Sequence, residues 1–63
     1  MIGLTPTDRP CVLVVEDDFG VRESLKLILE DGFEIIEAVN GAGGLRTFQS
    51  RRIDVVLLDL LLP

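Results

Sequence analysis

The sequence has no histidine, no tryptophan and no tyrosine, and its one cysteine is Cys11. A lone cysteine cannot close an intrachain disulfide, and without a His/Cys cluster there are no ligands for a structural zinc. The usual staples of a very small domain are therefore excluded. Basic residues are also scarce, six against eleven acidic, for a net charge of −5 and a pI near 4.3. That balance offers no positive stripe to neutralise phosphates, which argues against direct nucleic-acid contact by this segment. Long apolar runs are missing too. Cys11 to Val15 and Val55 to Leu58 fall far short of the roughly 18 residues a membrane span needs, so no membrane partner is expected. Residues 1–10 hold Pro6 and Pro10 and lack the cationic start and apolar stretch of a secretory signal. They read as a flexible leader, and a reducing, cytoplasmic setting is the expectation.

What is present is apolar. Of 63 residues, 48% are hydrophobic and the mean hydropathy is +0.43, too high for a disordered chain. A chain of this length buries only about 60% of the surface its unfolded form exposes. It must rely on a dense apolar core, on self-association, or on being part of something larger.

Cys11 to Val15 is a continuous apolar run, the pattern of a strand covered on both faces. It stops at Glu16-Asp17-Asp18. After Gly20, Val21, Leu25, Ile28 and Leu29 fall at helical spacing, with Arg22, Glu23, Lys26 and Glu30 expected on the solvent side. Asp18 is placed to cap that helix and Gly32 to end it. Phe33 to Val39 reads as a half-polar edge strand with Glu34 and Glu37, and Asn40-Gly41 as a turn. A weak helix to Ser50 follows, held by Leu45 and Phe48 and softened by Gly43 and Gly44. Ile53 to Leu58 is the third strand and ends at Asp59. Cys11, Phe19 and Phe48 are expected in the core, and Arg51-Arg52 in a solvated loop. No repeat or low-complexity segment interrupts the pattern.

Strand, helix, strand, helix, strand argues a parallel α/β sheet. With the two apolar strands adjacent and the half-polar one at the edge, the strand order is 2-1-3. Right-handed crossovers then put one helix on each face. The switch in direction falls between the first and third strands, where such sheets bind ligands at their carboxyl ends.

Both carboxyl ends there finish in acids, Glu16 and Asp17 on one strand and Asp59 on the other. Adjacent strands lie about 4.8 Å apart, so the three carboxylates would converge and repel until a proton or a cation intervenes. Oxygen donors without His or Cys select a hard ion such as Mg²⁺, with Mn²⁺ as a substitute. A carboxylate beside such an ion can attack a phosphoryl group and form an aspartyl phosphate. The plainer reading is that acids after strands only cap helices or form turns, as Asp18 is expected to do.

Val12-Leu13-Val14-Val15-Glu16-Asp17-Asp18, Arg22, Asn40-Gly41 and the run Asp54 to Pro63 together resemble the first half of a response-regulator receiver domain. The resemblance covers Cys11 to Pro63. It implies a flavodoxin-like, doubly wound α/β fold of which residues 11–63 supply three strands and two helices, a truncated receiver. It further implies that Asp59 is the phosphoacceptor and Asp17 a direct Mg²⁺ ligand. Glu16 would reach the ion through water, and Leu61 would supply a backbone carbonyl. A sensor histidine kinase or phosphotransfer protein would be the phosphoryl donor, so the chain would accept a group rather than catalyse independently. The family's switch Ser/Thr and its Lys have no counterpart within these 63 residues.

Two other readings stand beside it. One is an interaction fragment that does not take phosphate; on either reading the free chain is expected to form a homodimer through the exposed edge of its third strand. The other is a small nucleotide-binding α/β module. Gly41-Ala42-Gly43-Gly44 invites the latter, although the third glycine of a G-x-G-x-x-G pattern would fall at Arg46.

Overall fold

In a computed structural model of the chain, residues 9–58 are described. The expected leader residues 1–8, and the expected site residues Asp59 and Leu61, lie outside them. The element order is β1 (Cys11–Val15), α1 (Phe19–Leu29), β2 (Glu34–Ala38), α2 (Gly41–Ser50) and β3 (Val55–Leu58). The strands form one parallel sheet in the order β2-β1-β3, the expected topology.

β1 is the buried spine. All five of its residues are buried, and Leu13, Val12 and Val14 are the largest side chains wholly removed from solvent. A strand that is apolar on both faces can be satisfied only by cover on both. α2 supplies one side, where Leu13, Val15 and Ala38 form the buried cluster with Ile36 and Ile53 against it. α1 lies over the other, with Leu25 lining a cleft beside Val14 and Leu57.

Caps set the helix starts. The Asp18 carboxylate accepts the Val21 amide at 2.9 Å, so α1 begins at Phe19, directly after the expected cap. Asn40 does the same for α2, its side chain accepting the Gly43 amide at 2.8 Å. The Asn40-Gly41 pair is thus a helix start, not a free turn, since a short polar side chain serves either purpose. Gly32 does not act as a left-handed C-cap. No described glycine has positive φ, and α1 ends through Glu30, whose amide donates to the Lys26 carbonyl at 2.9 Å.

Phe19 and Phe48 are corrections of another kind. They are 67% and 54% exposed, so neither is a core residue. Phe19 sits at the first position of α1, turned away from the sheet, with the Arg22 guanidinium 5.6 Å from its ring centre.

Gly41, Gly43 and Gly44 lie within the first turn of α2, which leaves no open phosphate-holding loop there. Their roles differ. A Cβ on Gly44 would stand 2.8 Å from Cγ2 of Val15, inside any real carbon contact, so its bare backbone lets α2 settle onto β1. A Cβ on Gly43 would meet nothing closer than 3.4 Å. The two glycines therefore predict opposite outcomes. Gly44→Ala should cost about 1–3 kcal/mol through overpacking. Gly43→Ala should add up to about 1 kcal/mol of helix propensity. Urea unfolding of both variants reads this directly, and a Gly44→Ala protein as stable as the parent would contradict the close approach.

At the amino end of the sheet Asp54 ties β3 to β1 twice. Its amide donates to the Cys11 carbonyl at 2.9 Å, and its carboxylate accepts the Cys11 amide at 2.8 Å. Arg52 adds a 3.3 Å ion pair, and Arg51 pairs with Glu34 at 2.9 Å. The Cys11 amide, helped by Arg52 and opposed by partial desolvation, holds the Asp54 carboxyl below the usual aspartate range. A depressed folded pKa contributes stability that is complete above the unfolded value near 3.9 and is lost as pH falls through the folded one. Asp54→Asn should therefore be less stable than the parent at neutral pH, with the gap closing as the pH falls below the unfolded aspartate value. Parallel stability–pH curves for the two proteins would show that this carboxylate is not linked to folding.

Candidate functional site

The carboxyl end of β1 is where chemistry-bearing residues gather. The parallel register runs Val12↔Val55 to Val15↔Leu58, so β1 and β3 finish level. Glu16 follows on one strand, and Asp59 follows Leu58 in the sequence of the other.

Glu16 is 6% exposed and is the one buried charged side chain among the described residues. A carboxylate so placed must be hydrogen-bonded. Its Oε1 accepts the Asp18 amide at 3.1 Å, and its own amide donates to the Ala38 carbonyl at 3.0 Å, which extends the β1–β2 pairing by one residue. Asp17 is exposed, and its carboxylate has no bond to another described residue. Asp18 is consumed as the α1 cap.

The residue that sequence reasoning misplaced is Arg22. Expected on the solvent side of α1, its side chain is only 13% exposed. Its Nη1 donates to the Glu16 carbonyl at 2.9 Å, its Nε lies 3.6 Å from Oε1 of Glu37 on β2, and its guanidinium touches the Phe19 ring. The signal was present in the spacing. Arg22, Leu25 and Leu29 fall at i, i+3 and i+7, on the stripe that faces the sheet.

Of the expected ligand set, the structure places Glu16 and Asp17 together in one turn, while Asp59 and Leu61 lie outside the described residues. No group of three His, Cys, Asp or Glu able to hold a metal occurs among the described residues. The donors that are described suit a hard cation: oxygen only, one carboxylate exposed and one held by a backbone amide.

Comparison with known proteins agrees with this geometry. The profile of the response regulator receiver domain matches residues 12–63. The transcriptional regulatory protein CseB of Streptomyces coelicolor is 46% identical over 57 residues, covering 89% of this chain and 24% of that protein. The transcriptional regulatory protein PrrA of Mycobacterium tuberculosis is 43% identical over 60 residues, covering 94% and 26%. YcbL of Bacillus subtilis, an uncharacterised transcriptional regulatory protein, is 42% identical over 52 residues, covering 81% and 23%. The chain spans about a quarter of the length of these relatives. With a family profile matched over most of its length, the chain belongs to the response regulator receiver domain family.

Proposed function

We propose that this chain is the phosphoacceptor part of a two-component receiver module, with Asp59 taking a phosphoryl group from a sensor histidine kinase or phosphotransfer protein. The observation that carries the reading is the level finish of β1 and β3 at the switch point of a 2-1-3 sheet, with Glu16 and Asp17 in the turn beyond. A carboxylate oxygen of Asp59 would attack phosphorus, the phosphorus–nitrogen bond of a phosphohistidine would break, and the imidazole would leave with the electron pair and take up a proton. Asp17 and Asp59 would bind Mg²⁺ or Mn²⁺ directly, Glu16 through water, and the Leu61 carbonyl would complete the protein's share. When bound, the ion neutralises charge on the phosphoryl oxygens and on the clustered carboxylates. The acidic balance and the absence, among described residues, of a helix able to cross a membrane fit a cytoplasmic protein that meets protein partners. Transcriptional output, as the relatives' names suggest, would belong to regions outside this chain.

Incubation with Mg²⁺ and a small phosphodonor, followed by intact mass, tests the reading. One phosphoryl group should be gained, and none in Asp59→Asn or without divalent cation. A folded chain that gains nothing, or an Asp59→Asn protein that gains as much as the parent, would contradict it.

A second reading rests on β3. All four of its residues are between 37% and 54% exposed, and apolar clefts flank it on both faces, one of about 250 Å³ lined by Leu45, Phe48, Val56 and Leu58. Such an edge is a template for pairing, and as a free chain the protein would form a homodimer along it. Sedimentation at several concentrations should show mass rising with concentration; a monomer of 6.9 kDa throughout would refute pairing.

A further inference from the structure

Resting on the metal-site reading above, we propose that Arg22 is a positioning residue for the cation: it fixes the peptide that presents the Asp17 carboxylate. Asp17 is exposed, and its carboxylate has no partner among the described residues, so the position from which that carboxylate reaches out is set by the backbone that carries it.

Both peptides that flank Asp17 are held. The one before it is fixed at its carbonyl, which accepts from Arg22 Nη1 at 2.9 Å. The one after it is fixed at its amide, which donates to Glu16 Oε1 at 3.1 Å. The first of these grips comes from a side chain anchored three ways. Arg22 rises from the first turn of α1, lies 3.6 Å from the Glu37 carboxylate and sits against Phe19. A planar guanidinium can serve a carbonyl and a carboxylate together; a lysine ammonium is a point charge and holds such a pair less firmly. Glu37 has a further effect. It balances the Arg22 charge, so no bare cation stands beside the acids that must attract a divalent ion.

Groups that orient a metal ligand from behind it change metal affinity by about 10–100-fold when removed. Arg22→Gln should therefore raise the dissociation constant for Mn²⁺ about tenfold, read as free Mn²⁺ by electron paramagnetic resonance on the full chain. Arg22→Lys should recover part of the loss. Glu37→Gln should weaken binding in the same direction by less, because the Arg22 hydrogen bond to Glu16 survives while its charge is left unbalanced. A residue that only stabilised the fold would lower the unfolding temperature and leave the Mn²⁺ affinity of the folded protein unchanged. Arg22→Gln and Glu37→Gln proteins with the parent's circular dichroism and the parent's Mn²⁺ affinity would overturn the proposal. If Arg22→Gln does not fold, unchanged affinity in Glu37→Gln overturns it alone. Failure of the site itself looks different: the parent would then bind no Mn²⁺ saturably and Asp17→Ala would change nothing, and the role of Arg22 would fall with it.

Discussion

The constraint on which the rest depends is that β1 has no face to give to water. Its residues lie between 1% and 5% exposed, and each such aliphatic side chain contributes about 1.5–3 kcal/mol by being covered. Cover on two faces demands two helices, and pairing on two edges demands two strands. A parallel arrangement with right-handed crossovers then leaves one order, β2-β1-β3. The acids that end β1 consequently emerge where the crossover direction reverses. Hydrophobic demand at Val12, Leu13 and Val14 thus puts Glu16 and Asp17 at that switch point.

Polar bonds secure both ends of that spine. At its start, Asp54 offers a carboxylate to the Cys11 amide and an amide to the Cys11 carbonyl. At its end, the Glu16 carbonyl receives Arg22, and the Glu16 carboxylate folds back to Asp18. Three of these four bonds involve an ionised group, and charge-assisted hydrogen bonds are the stronger class. They also prevent a slip of β1 against its neighbours, which in a strand apolar on both faces would not be resisted by side-chain pattern alone. Gly44 adds a steric lock at the last residue of the strand, since only a missing Cβ lets α2 reach Val15.

Much of this was legible in the residues. The two apolar runs and the half-polar run between them were enough for sheet order, and the Glu16-Asp17 and Asp59 pattern was enough for the family. Besides the helix ends at Gly32 and Asn40, three further features differ from the reading of the residues, each for a definable reason. Arg22 was assigned to solvent by its charge, although its spacing to Leu25 and Leu29 places it on the buried stripe. Gly44 was counted as a helix weakener because propensity ignores what lies opposite, which here is Val15. Phe19 and Phe48 are core by residue type, yet both are more than half exposed, Phe48 at the open cleft beside Val56 and Leu58. Tertiary neighbours decide the first two, and a single sequence does not name them.

In the function proposed, one end of β1, and not the chain's acidity in general, is the cation site. Eleven acids are spread over the sequence, so a purely electrostatic attraction would be diffuse. Two-dimensional amide spectra recorded during a Mg²⁺ titration separate the possibilities. Saturable shifts confined to Glu16, Asp17, Asp18 and Asp59, with Cys11 and Asp54 at the far end of the sheet unmoved, are the predicted result. Shifts spread without saturation over Glu23, Glu30, Asp31 and Glu34 would contradict the claim.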